Sequence, residues 1–194
     1  MDENSMDRYL ERLSRLMSDT QVTDSMGTAF SLNEGADRLV DILVATKTRG
    51  HKIMLIGNGG SSAVVSHVQN DLCKADGIPA MVFTEPALLT ALGNDNGYAN
   101  IYEYPVDLWA NHQDVLIAVS SSGKSENILR ACNAAIGKGC SLITFTGFEP
   151  SNPLRQLGTL NFYVESTVYG YGETAHAALT HFITDKIMDV NTIT

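Results

Sequence analysis

Ile53-Met54-Leu55-Ile56-Gly57-Asn58-Gly59-Gly60-Ser61-Ser62 is an apolar run that breaks into a glycine- and serine-rich turn and continues as helix-like sequence. A strand that ends this way delivers backbone N–H groups to an anion. The glycines let the chain turn and let a ligand approach the backbone, and the helix that follows adds unpaired N–H donors and a positive dipole end. The same design recurs downstream, where Leu116-Ile117-Ala118-Val119 runs into Ser120-Ser121-Ser122-Gly123-Lys124-Ser125-Glu126-Asn127. Two hydroxyl-rich strand-to-helix turns in one short chain point to one phosphorylated ligand held at the carboxyl ends of parallel strands.

Neither turn is a nucleotide motif. Gly123-Lys124-Ser125 copies the end of the P-loop pattern, but Ala118 stands where the first glycine of that pattern belongs. The first turn has Ala63 or Val65 in place of the third glycine of a dinucleotide fingerprint. A phosphate on a smaller molecule fits better than a nucleotide.

The rest of the chain alternates strand and helix patterns. Helical spacing covers residues 6–18 and again 32–44, the second helix closing near 47–50. Strands are expected at 52–56, 80–83, 115–119, 141–145 and 160–164. Helices are expected at 62–75, 86–93, 101–109, 126–138 and 173–190, with 95–98 a loop, a turn of helix at 154–157 and a flexible link at 169–172. The order predicts one α/β domain over residues 1–194, a five-stranded parallel sheet with helices on both faces. The two leading helices, within 1–50, have no strand partner in sequence and are expected to pack on another subunit.

With 194 residues and 44% hydrophobic content, the chain can bury a core without staples. Its 13 basic and 22 acidic residues give a net charge of −9, which argues against nucleic acid as a partner. Cys73, Cys132 and Cys140 lack paired spacing and read as reduced core residues of a cytoplasmic protein. The polar start of the chain reads as no signal peptide, and no apolar run approaches the roughly 20 residues that cross a bilayer. No membrane partner is expected.

Chemistry-bearing side chains gather on two helices. His67 and Asp71 lie four apart, which puts an imidazole and a carboxylate on one face, within reach of one metal ion. The last helix adds Glu173, His176 and His181. Spacing within that helix favours Glu173 with His176, since Glu173 and His181 are roughly 12 Å apart along the axis. His51 and His112 read as surface residues.

Taken together, Gly57-Asn58-Gly59-Gly60-Ser61, His67, Ala91-Leu92-Gly93-Asn94-Asp95 and Ser120-Ser121-Ser122-Gly123-Lys124-Ser125 resemble the signatures of the sugar isomerase (SIS) domain, in its sedoheptulose 7-phosphate isomerase branch. The resemblance spans about residues 30–190. It implies a five-stranded parallel αβα sandwich and a homotetramer with active sites between subunits. The substrate it implies is a phosphorylated sugar, bound by Asn58, Gly59, Gly60, Ser61, Asn94, Asp95, Ser120, Ser121, Ser122 and Ser125. It also implies one zinc ion per subunit on His67, Asp71, Glu173 and His181, in place of the pairing that spacing favours. Asp71 and His181 are then the base and acid of an aldose–ketose isomerisation.

Some SIS proteins are non-catalytic scaffolds, as the DnaA initiator-associating proteins are, and the four candidate ligands speak against that alternative. The chain also departs from the isomerase pattern. Asp71 replaces a glutamate and Glu173 a glutamine, while Gly170 and Ala75 stand where an acidic residue and an arginine are usual. The sugar end of the pocket is therefore changed more than the phosphate end.

Overall fold

A computed structural model describes residues 5–193. The chain opens with α1 (Met6–Ser18), a short hairpin of β1 (Gln21–Asp24) and β2 (Ala29–Phe30), and α2 (Leu32–Thr48). Strand and helix then alternate through β3 (Ile53–Gly57), α3 (Gly60–Lys74), β4 (Ala80–Val82), α4 (Pro86–Asp95), α5 (Glu103–Trp109), β5 (Val115–Ser120), α6 (Glu126–Gly137), β6 (Ser141–Thr146), β7 (Leu160–Tyr163) and α7 (Tyr169–Ile193).

All five expected strands form, in one sheet of order β2-β1-β7-β6-β5-β3-β4. The pairs β3–β4, β3–β5, β5–β6 and β6–β7 are parallel. The expectation of five strands needs correction, because β1 adds antiparallel to β7, with Val22 opposite Phe162, and β2 pairs beyond it. Only Val22 of β1 is buried, so the segment shows no alternation to read. Its turn is chemically clear, however. The Asp24 carboxylate accepts from the Met26 and Thr28 N–H groups, and Gly27 takes a φ of 80°.

Alternation along the strands divides the core in two. Ile53 and Leu55 of β3 and Val115, Ile117 and Val119 of β5 face α2, α3 and α7. Met54, Ile56, Leu116 and Ala118 face the other way, toward α4, α5 and α6. Helix α2 is therefore not free, since Leu39 and Leu43 lie in its own subunit's core. Helix α1 packs on α7 through Leu13, with Tyr9 stacked on Tyr171 at 4.4 Å between ring centroids. That packing also explains a second difference. Residues 169–172 form the first turn of α7 instead of a link, because burial of Tyr171 outweighs the weak helix propensity of Gly170 and Gly172. Of the cysteines, Cys132 is buried and Cys140 half-buried, but Cys73 is exposed and does not belong to the core.

Just past α3, Asp76 is buried with neither carboxylate oxygen hydrogen-bonded. Burial first, and then the Asp71 carboxylate, lift its pKa to about 6. A folded-state value above the unfolded one makes ionised Asp76 a cost that grows as pH rises through 6 and disappears below the unfolded value of about 3.9. Two units correspond to about 3 kcal/mol. Asp76→Asn is accordingly expected to gain stability relative to wild type between about pH 4 and about pH 8. Urea melts at both pH values test this, and an equal difference at the two would count against it.

Candidate active site

The order of the parallel strands reverses between β3 and β5. From β3 the chain crosses by α3 on one face to β4, and from β5 it crosses by α6 on the other face to β6. A crevice opens at the carboxyl ends of strands at such a switch point. Both glycine- and serine-rich turns sit there, with Gly57 in register with Val119.

An amide pair ties the two turns together. Asn58 donates to Asn127 at 3.0 Å and Asn127 donates back at 2.9 Å. The Tyr98 hydroxyl also donates to Asn58, at 3.2 Å, and the Tyr102 hydroxyl donates to the Gly57 carbonyl at 2.6 Å. Of these four, only Asn58 was identified from sequence. Asn127, Tyr98 and Tyr102 are 40 to 69 residues from their partners, and only strand pairing brings them near.

In the first turn Ser61 is buried, whereas Asn58 is half-buried and Gly59 and Gly60 are exposed. In the second, Ser120 and Ser121 are buried while Ser122 and Ser125 are half-buried. Gly123 has a φ of 59° and its N–H donates to the Ser120 carbonyl, folding the turn back on itself. Ser125 is the N-cap of α6, and its side chain makes no capping bond. Asn94 and Asp95 end α4, exposed and bonded to each other at 2.8 Å. Among the described residues they do not join the hydrogen bonds of the two turns.

Helix α3 leads from the first turn to the second group of residues. The Asp71 Oδ2 lies 3.5 Å from His67 Nε2, its neighbour one helical turn back, and 3.3 Å from His181 Nδ1 on α7. The two imidazole rings meet edge to face, centroids 4.7 Å apart. One ligand atom from each of the three lies within 4.8 Å of the others. Two imidazole nitrogens and a carboxylate oxygen suit a zinc ion, so these residues fit the metal that the resemblance implies.

Glu173 is placed elsewhere. Its carboxylate lies directly against Gly60, where any Cβ would overlap it. A negative charge is favourable at that first turn of α3, whose N-cap is a glycine without a side chain to offer. His176, which spacing paired with Glu173, is fully buried against the Phe145 ring, and its Nε2 lies 3.1 Å from the Thr146 carbonyl. Burial pushes its pKa down to about 4, so the ring is neutral near pH 7. Of the two histidines on α7, His181 is the one that joins the cluster.

Residues 9–147 match the family model described as the SIS domain. The chain is 35% identical to the phosphoheptose isomerase of Burkholderia pseudomallei over 152 residues, covering 75% of this chain and 77% of that one. It is 32% identical to the phosphoheptose isomerase of Aliarcobacter butzleri, over 79% of this chain and 84% of that one. The chain belongs to the phosphoheptose isomerase family of SIS-domain proteins. A solved phosphoheptose isomerase structure from Francisella tularensis superposes on this SIS domain with a TM-score of 0.82, covering 97% of this chain and 98% of that one at 24% identity. Among the described residues of the SIS domain, no helix is long and apolar enough to cross a membrane.

Proposed function

We propose that this protein is a phosphosugar isomerase that interconverts the aldose and ketose forms of a phosphorylated sugar, with sedoheptulose 7-phosphate as the leading substrate. The observation that carries this reading is the convergence of His67 and Asp71, on the helix that starts at the first switch-point turn, with His181 of α7. Membership of a family whose named relatives are phosphoheptose isomerases supports it.

The serine turn and the N-termini of α3 and α6 hold the phosphate through hydroxyls and backbone N–H groups. His67 stands about 10 Å along α3 from Gly60, which separates the anchored end of the sugar from its reacting end. At that end Asp71 takes the proton from the carbon next to the carbonyl. His181 protonates the carbonyl oxygen, giving an enediol. Asp71 returns the proton to the neighbouring carbon while His181 takes back a proton from the other hydroxyl, and aldose has become ketose. His67, Asp71 and His181 would hold a zinc ion, and the family resemblance adds Glu173 as a fourth ligand. Bound there, zinc supplies positive charge to the oxygen on which negative charge develops.

The homotetramer with active sites between subunits, and the places of Asn94 and Asp95 in the sugar pocket, enter this proposal from the family resemblance. A cytoplasmic location enters from the unpaired spacing of Cys73, Cys132 and Cys140. Metal removal tests the reading against a non-catalytic scaffold. The purified protein is expected to contain zinc, to lose isomerase activity on chelation and to regain it with zinc. A protein that binds no zinc and isomerises no sugar phosphate, with zinc supplied, would be a scaffold.

A further inference from the structure

Apart from Asp76, the buried side-chain polar atoms without a hydrogen-bond partner among the described residues are Ser121 Oγ, Thr146 Oγ1 and His176 Nδ1. Ser121 and His176 lie on the α7 side of the sheet, whereas alternation along β6 turns the Thr146 side chain to the face opposite Phe145. Ser121 follows β5 and Thr146 ends β6, and Ser120 and Thr146 are in register. The Gly147 N–H donates to the Ser121 carbonyl at 3.0 Å. Helix α7 covers these strand ends with two residues one turn apart, Gly172 and His176. A Cβ on Gly172 would stand 3.4 Å from Ser121 Oγ. His176 Nε2 reaches the Thr146 carbonyl.

A carbonyl only accepts, so Nε2 carries the proton and Nδ1 presents a bare lone pair. Buried polar atoms left unpaired are costly and rare, and the one hydrogen bond that the buried His176 ring makes among the described residues is the one to the end of β6.

We propose that His176 is a positioning residue for phosphate binding: its Nε2–H fixes the end of β6, which through Gly147 holds the backbone of Ser121 in the serine turn. The substrate touches the upper side of that turn, and His176 never meets it. This role rests on the reading that the serine turn binds the phosphate group.

The test uses the full chain with inorganic phosphate as the probe. His176→Leu keeps the bulk and removes both nitrogens, and is expected to weaken phosphate binding about tenfold. KM for the sugar phosphate should rise in proportion while kcat and zinc content stay unchanged. His176→Gln retains a donor toward Thr146 and is expected to recover most of the affinity, a pattern that general loss of structure would not give. In the wild-type protein, saturation with phosphate should shift the His176 side-chain ¹⁵N resonances, whether or not the leucine variant folds. A folded His176→Leu variant with wild-type phosphate affinity, or His176 resonances unmoved by saturating phosphate, overturns the role. Wild-type protein that binds no phosphate overturns the phosphate reading itself, and the role of His176 with it.

Discussion

Asp71→Asn is expected to lower kcat by about 10³-fold while phosphate binding stays near wild type, because a positioned general base contributes about 10² to 10⁴ and the amide cannot accept the proton. The substitution is nearly isosteric. It acts at a half-buried group whose Oδ2 is within 3.5 Å of His67 and 3.3 Å of His181, so the amide would also weaken the site as a metal ligand set. Steady-state kinetics with zinc content measured on the same samples separates the two effects. If zinc stays bound and kcat still collapses, the loss belongs to proton transfer. Turnover within about threefold of wild type would remove Asp71 from the role of base.

Gly123→Ala is expected to be the most damaging single-methyl change in the second turn. A φ of 59° costs an alanine about 1 kcal/mol. The added Cβ would also overlap the side-chain amide of Asn152, which is fully buried. That amide donates to the Gly147 and Glu149 carbonyls and accepts from the Arg155 N–H. Displacing it breaks three hydrogen bonds of about 1 kcal/mol each. The combined loss, about 3 to 4 kcal/mol, corresponds to a drop in Tm of roughly 6 to 16 °C for a chain of this size. Phosphate affinity should fall with it, since Gly123 shapes the turn between Ser122 and Ser125. Calorimetry and phosphate titration check both, and an unchanged Tm would mean that Asn152 can move at little cost.

How much of this could be read from residues alone follows from which interactions are local. The turns after β3 and β5 are legible because glycine, serine and an apolar run are consecutive in the chain. His67 and Asp71 are legible because one helix carries both. The choice between His176 and His181 was not legible from spacing, which measures distance along α7 only. The cluster forms across α3 and α7, and the packing of those helices turns His181 toward Asp71 and buries His176 against the end of β6. The family resemblance supplied what spacing could not. The β1–β2 hairpin escaped because one buried valine makes no pattern, and Asn127 escaped because its partner lies 69 residues away.

Exchange at carbon addresses the central claim most directly. Incubation of the zinc-supplied protein with sugar phosphates of five to seven carbons in D₂O, followed by NMR, reads isomerisation and deuterium uptake together. Transfer of a proton between C1 and C2 by Asp71 predicts that one member of the panel is isomerised and that deuterium appears at the carbon receiving the proton. Absence of both isomerisation and exchange across the panel would contradict the account, leaving a sugar-phosphate fold without isomerase chemistry.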